Sequence, residues 1–356
     1  MCSQLCCFGL LYYSILTSSV VSELEEVPEN PQMVVKVVAQ TLPSIAADGA
    51  SDTSTTAFPS LISALQNRLC SATPYFEVHH IVPPTFSLTS LPTSPPSTPS
   101  VNVSVIPQTD YFSPNIFSSA VAVIDRHDKY SKPTMPSSPF AVVPNTADFV
   151  LYERYIPPST VQEFKDLFLT TGQSALVDRL AELSPNNGTL VFIYPTKSGA
   201  ATFKTKLLDP ILDPVLRSII TSHCLSSNIG VRIGTMAAAQ HLLTFEAMKR
   251  NVQALLRGLG RDSRRFTLVH AKKAVVHVER KVWADWYVEQ ETPRIRHITT
   301  EYINRAVRLP QEEHISYAVL TREIIEGVLQ RDYAKGEEPG VDGGLEVGVF
   351  VVRRGD

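Results

Sequence analysis

Residues 147–152, Ala-Asp-Phe-Val-Leu-Tyr, and residues 189–194, Thr-Leu-Val-Phe-Ile-Tyr, are short apolar runs on either side of a helical pattern from Ser174 to Leu183. The first run ends in Glu153-Arg154-Tyr155-Ile156-Pro157-Pro158, where two prolines stop a strand. Pro185-Asn186-Asn187-Gly188 supplies the turn into the second run, which carries no charge. Runs this apolar suit strands of a parallel sheet covered on both faces. Strand, helix, strand in this order suits a right-handed crossover. The fold expected from this stretch is α/β: a Rossmann-like, mostly parallel sheet with flanking helices.

Working outward, the same patterns extend to both ends. Residues 34–39 read as a first strand, 58–70 as a helix with Leu61, Leu65 and Leu69 in step, and 75–82 as a second strand. Residues 44–57 read as a flexible loop, 83–100 as an insertion holding six prolines, and 126–139 as a polar, Pro-rich loop. Val101–Ile106 reads as a further strand, and Ala120–Asp125 as a short apolar run, helical or extended. Downstream, a helical region runs to about Ile220, kinked or divided at Asp209-Pro210 and Asp213-Pro214. Residues 241–259 read as one helix, 266–270 and 274–278 as a hairpin, and Trp283 starts a helical segment. One or two more helices are expected in 297–331. Residues 346–354 form a C-terminal strand that docks into the sheet as an antiparallel addition. The organisation expected is a single α/β domain over 34–356, preceded by an apolar or poorly ordered segment over 1–33.

Composition bounds the function. The chain has 356 residues and 44% hydrophobic content, enough for a substantial core. Its formal charge of −3 gives no global case for a nucleic-acid partner. The five cysteines show no paired spacing, which argues against a disulfide framework or a zinc site and fits a reducing, cytoplasmic setting. Residues 5–22 are uncharged and resemble a secretion signal that lacks its basic start, so secretion through residues 1–22 is the alternative. The run is too short and too diluted by Ser and Thr for a stable membrane span.

Taken together, the Ala147–Pro158 strand, the Leu183–Ile193 turn and strand, the 266–278 region and the 346–352 strand resemble the second half of the class I S-adenosylmethionine-dependent methyltransferases. The resemblance covers about residues 140–355. It implies S-adenosylmethionine as cofactor and a methyl group passed to a small molecule at the strand edge. In that reading Glu153 and Tyr155 are the orienting or basic groups. The whole also looks like proteins of filamentous fungi, which implies secondary metabolism. The first half departs from the family. Its cofactor is held on a glycine-rich turn after the first strand, where glycine lets the backbone approach the ligand. Here Gln40-Thr41-Leu42-Pro43-Ser44-Ile45 follows, with no glycine before Gly49. The acid expected after the second strand for the ribose hydroxyls is replaced by Pro83-Pro84, leaving Asp125 as the cofactor-binding candidate. The alternative is therefore a non-catalytic relative that keeps the sheet, needs no cofactor, and binds a protein or a metabolite.

Each candidate site has a plainer reading beside it. Glu153-Arg154-Tyr155 stands at a strand C-terminal end, where open α/β sheets bind ligands, or forms a solvated loop. Tyr194, Thr196 and Lys197 are substrate-binding candidates at the next strand end, where a Thr/Lys/Ser-Gly turn could hold an anion or only cap a helix. His79 and His80 alternate along a strand, so they cannot share a face or a metal, and read as strand histidines. His270 and His277 could approach each other across the expected hairpin, without a third ligand. Cys224 would need a base supplied by the fold. Residues 249–281 hold ten Lys or Arg against two acids, an acid-seeking surface or solvated helix ends. Asn102-Val103-Ser104 and Asn187-Gly188-Thr189 match the glycosylation pattern, which matters only in a secreted chain. No metal site is expected.

Overall fold

The structure, a computed structural model, describes residues 34–42, 57–68, 75–82, 116–123, 138–170, 174–259, 265–304, 315–336, 338–340 and 343–355. Seven strands form one sheet: β1 (Val34–Leu42), β2 (Tyr75–Val82), β3 (Ile116–Ala122), β4 (Phe149–Arg154), β5 (Thr189–Pro195), β6 (Arg265–Val276) and β7 (Leu345–Gly355). Their order is β3-β2-β1-β4-β5-β7-β6. The first five are mutually parallel, and β7 enters antiparallel between β5 and β6. The helices are α1 (Ala57–Arg68), α2 (Val161–Asp166), α3 (Ala175–Glu182), α4 (Lys197–Thr202), α5 (Asp209–Ser222), α6 (Ser227–Gly234), α7 (Ala237–His241), α8 (Phe245–Leu259), α9 (Arg280–Asn304) and α10 (Tyr317–Gln330). No helix among the described residues is long and apolar enough to cross a membrane.

The central strands are buried along their whole length, as their continuous apolar runs require. Asp148, the acid that leads β4, takes the Lys36 N–H on its carboxylate at 2.9 Å and closes the β1–β4 pair at its start. Ser174 caps α3 by accepting the Val177 N–H. Asn187 turns into β5 through the left-handed region at φ 61°, a conformation asparagine tolerates. Gly199 is required for packing: a Cβ there would stand 2.0 Å from the Glu346 carbonyl oxygen of β7.

Four local expectations change. The 266–278 hairpin is a single strand, β6, paired along its length with β7. Ala271-Lys272-Lys273 offers no turn residue, and a bulge between Leu268 and His270 shifts the alternation that made the run look like two. His270 and His277 therefore do not face each other across a hairpin. The 241–259 helix begins only at Phe245, with Leu242 closing α7. The expected divided helix is α4, a π-helical turn over Phe203–Leu208, and α5, with Pro210 in the first turn of α5 where no N–H is missed. Finally, β4 runs on through Glu153 and Arg154, which pair with Thr41 and Leu42. The expected strand at 101–106 and the segments 1–33 and 83–100 lie outside the described residues.

Candidate functional site

From β1 the chain moves outward to β2 and β3, then returns to β4 and β5 on the other side. The β1–β4 boundary is thus the topological switch point, and the crevice at the strands' C-terminal ends is where an open α/β sheet takes a ligand. The parallel register sets Thr41 beside Glu153 and Leu42 beside Arg154 there. Glu153 is 0% exposed. Its Oε1 accepts from the Thr41 hydroxyl at 2.7 Å. Its Oε2 accepts from the Ala57 N–H at 2.9 Å and the Tyr155 hydroxyl at 2.8 Å. Ala57 opens α1, so the carboxylate lies on the positive end of that helix. Burial pushes the Glu153 carboxyl above its usual range, while the three hydrogen bonds pull it back.

Helix α9 walls the same edge. Tyr155, 1% exposed, stacks on Trp286 with ring centres 5.4 Å apart and planes 12° from parallel. Gln290 donates to the Pro157 carbonyl at 2.9 Å, and Ser159 donates to Glu291 at 2.6 Å. Arg154, also buried, donates to Gln290 at 2.7 Å and pairs with Glu163 of α2 at 2.5 Å. The turn leaving β4 is thereby pinned to α9 from Arg154 to Ser159. Tyr194 is 1% exposed and packs between Phe164 and Phe192, and burial raises its hydroxyl well above the usual phenol range. Thr196 caps α4, accepting the Gly199 N–H at 3.2 Å while its hydroxyl donates to Glu346 at 2.7 Å. The exposed Lys197 gives its own N–H to Leu243 O.

The fold thus brings Glu153 and Tyr155 into direct contact, leaves Tyr194 and Thr196 in the packed layer around β5, and puts Lys197 at the surface. Asp125 lies outside the described residues. Residues not singled out from sequence complete the arrangement: Thr41, the Ala57 N–H, Trp286 and Gln290. A hydroxyl two residues before a proline at the end of the first strand was the only local sign of Thr41. The basic stretch is divided. Lys273 pairs with Glu346 of β7, and Arg280 turns inward over Trp283, donating to the carbonyls of Val328 and Arg331.

No protein-family model matches this chain, and no curated protein matches it. Among solved structures, a plantazolicin methyltransferase in complex with a pentazolic desmethyl analogue and SAH aligns over 99% of this chain and 87% of that one, at 8% identity and a TM-score of 0.32. A loganic acid methyltransferase with SAH aligns over 98% of this chain and 92% of that one, at 12% identity and a TM-score of 0.51. The chain shares the fold of the loganic acid methyltransferase. The resemblance seen in residues 140–355 therefore extends, as a fold, to the first half as well.

The methyltransferase fold implies a cofactor that presents a carboxylate, an ammonium and ribose hydroxyls. The described residues at the switch point do not fit it. Three donors described at the crevice, the Thr41 hydroxyl, the Ala57 N–H and the Tyr155 hydroxyl, are engaged by Glu153. At the end of β2, where ribose hydroxyls call for a carboxylate, stands the buried apolar Val82.

Proposed function

We propose that the chain is a binding relative of the small-molecule methyltransferases, which keeps their sheet and recognises a metabolite without passing a methyl group to it. One observation carries this reading. The switch point is filled by the chain's own carboxylate, fully buried and holding three donors. A group so satisfied has no call for a ligand, and a ligand carboxylate entering there would meet a like charge. The stacked Tyr155–Trp286 pair closes the same edge from the side of α9.

A second reading, methyl transfer from S-adenosylmethionine to a small molecule, is supported by the alignment over nearly the whole length of a methyltransferase. In it Glu153, with its raised carboxyl, and Tyr155 would be the orienting or basic groups, as a general base near neutral pH requires. A substrate from fungal secondary metabolism rests on the sequence resemblance alone. Calorimetry of the full chain with S-adenosylmethionine and with SAH separates the two readings. The binding reading expects no heat, a Kd weaker than about 1 mM. Micromolar binding by a cooperatively folded chain would sink it and make a substrate search the next step.

A further inference from the structure

On the opposite flank of the sheet, away from the switch point, three side chains stand in series, joined by one hydrogen bond and one ion-pair contact. The β2–β3 register sets His79 directly beside Ser119 on the outermost described strand. Ser119 Oγ lies 3.0 Å from His79 Nδ1. His79 Nε2 lies 3.3 Å from Glu77 Oε1, and Lys36 on β1 reaches the other Glu77 oxygen at 3.8 Å. Glu77 and His79 are two residues apart on one strand, so both stand on the same face. The Ser119 hydroxyl reaches two acceptors, the Val78 carbonyl at 3.4 Å and His79 Nδ1 at 3.0 Å. A carboxylate only accepts, so Glu77 favours the tautomer with the hydrogen on Nε2, in which Nδ1 is an acceptor for the Ser119 hydroxyl. That is the relation of nucleophile, base and orienting acid that activates a serine. Ser119 is exposed, and beside it on this face the aromatic rings of Phe117 and Tyr75 are stacked 6.1 Å apart, 59% and 41% exposed. An apolar platform next to a polarised hydroxyl suits an ester with an aryl or alkyl acyl group. The backbone offers a place for the developing oxyanion too. The Val123 N–H points into β2, so by strand alternation the Ala120 N–H points away from it, and no described strand pairs with that edge.

We propose that Ser119, His79 and Glu77 form an acyl-transfer site that cleaves carboxylic esters with an apolar acyl group. Ser119 Oγ attacks the ester carbonyl carbon and gives its proton to His79 Nδ1. The bond from that carbon to the alcohol oxygen breaks, and the leaving alkoxide takes the proton from His79. Water then hydrolyses the acyl-serine by the same route, releasing the acid. Glu77 is a positioning residue, holding the imidazole and its tautomer. None of this depends on the reading of the switch point.

The test uses the full chain and a fluorophosphonate probe, with peptide mass spectrometry to locate the adduct and p-nitrophenyl acetate hydrolysis alongside. Ser119 is expected to be modified in the folded chain and not after denaturation in urea. His79→Gln is expected to slow labelling about 100-fold, the worth of a general base. Glu77→Gln, which keeps a hydrogen-bonding partner without the charge, is expected to slow it on the order of 10-fold. Glu77→Asp, which keeps a carboxylate on the same face, is expected to restore most of the rate that Glu77→Gln loses, a rescue that a merely structural role would not show. The Ser119→Ala chain should unfold at the wild-type temperature while losing ester cleavage. A folded chain with no adduct at Ser119, or one labelled equally fast after His79→Gln, overturns the proposal.

Discussion

Replacing Glu153 by alanine removes the acceptor for three donors at once. Thr41 is half-buried, so water can reach its hydroxyl and replace most of what it loses. Ala57 and Tyr155 are each 1% exposed, and their N–H and O–H would be left without a partner. A buried polar group stripped of its partner costs about 1–3 kcal/mol, so the two together cost about 2–6 kcal/mol. Against this stands the relief of no longer holding a carboxylate away from water, the same burial that raises its pKa. The expected net loss is about 3 kcal/mol, with Glu153→Gln losing less because the amide keeps one acceptor oxygen. Urea unfolding at pH 7 measures it, read from the midpoint with an unchanged slope so that the comparison reports stability alone. A loss below about 1 kcal/mol for Glu153→Ala would mean that water takes the place of the carboxylate. The crevice would then be wet and open, and the argument that it cannot receive a ligand would fall.

Glu182 is buried against Arg179, and burial pushes its carboxyl from 4.5 up to about 7 despite that partner. Because the folded value lies above the unfolded one, its contribution to stability is greatest below pH 4.5 and is lost as pH rises to about 7. Relative to Glu182→Gln, the wild-type chain should lose up to about 3 kcal/mol over that window in denaturant titrations, and parallel curves would refute the assignment. At Gly199, a methyl group would meet the Glu346 carbonyl oxygen at 2.0 Å, where only backbone movement makes room. Gly199→Ala should cost more than about 3 kcal/mol in thermal or urea unfolding, and a loss under about 1 kcal/mol would show that α4 and β7 are not in close packing.

Much of the fold was legible because its strands are marked locally. The uncharged run over β5 and the apolar C-terminal run over β7 need burial on both faces, and only a covered sheet provides it. Turns were equally local: Asn187-Gly188 and the prolines after Ile156 restrict their own backbone. The hairpin expected at 266–278 failed for the reciprocal reason. A bulge alters side-chain alternation without a turn residue to announce it, and the partner that draws β6 into one strand lies near the far end of the chain.

The sites divide along the same line. From the sequence by itself came the strand-end position of Glu153 and Tyr155, the missing glycines after β1, and the exclusion of a joint metal site at His79-His80. What those side chains touch was decided by the tertiary structure alone. Thr41 and Glu153 are 112 residues apart, and His79 and Ser119 are 40 apart. Each pair meets because parallel strands lock at one register, chosen by which faces the whole sheet can bury rather than by any preference of the residues themselves. A shift of one residue in either pairing would turn a carboxylate or an imidazole to the other face of the sheet, and no local pattern of amino acids carries that information.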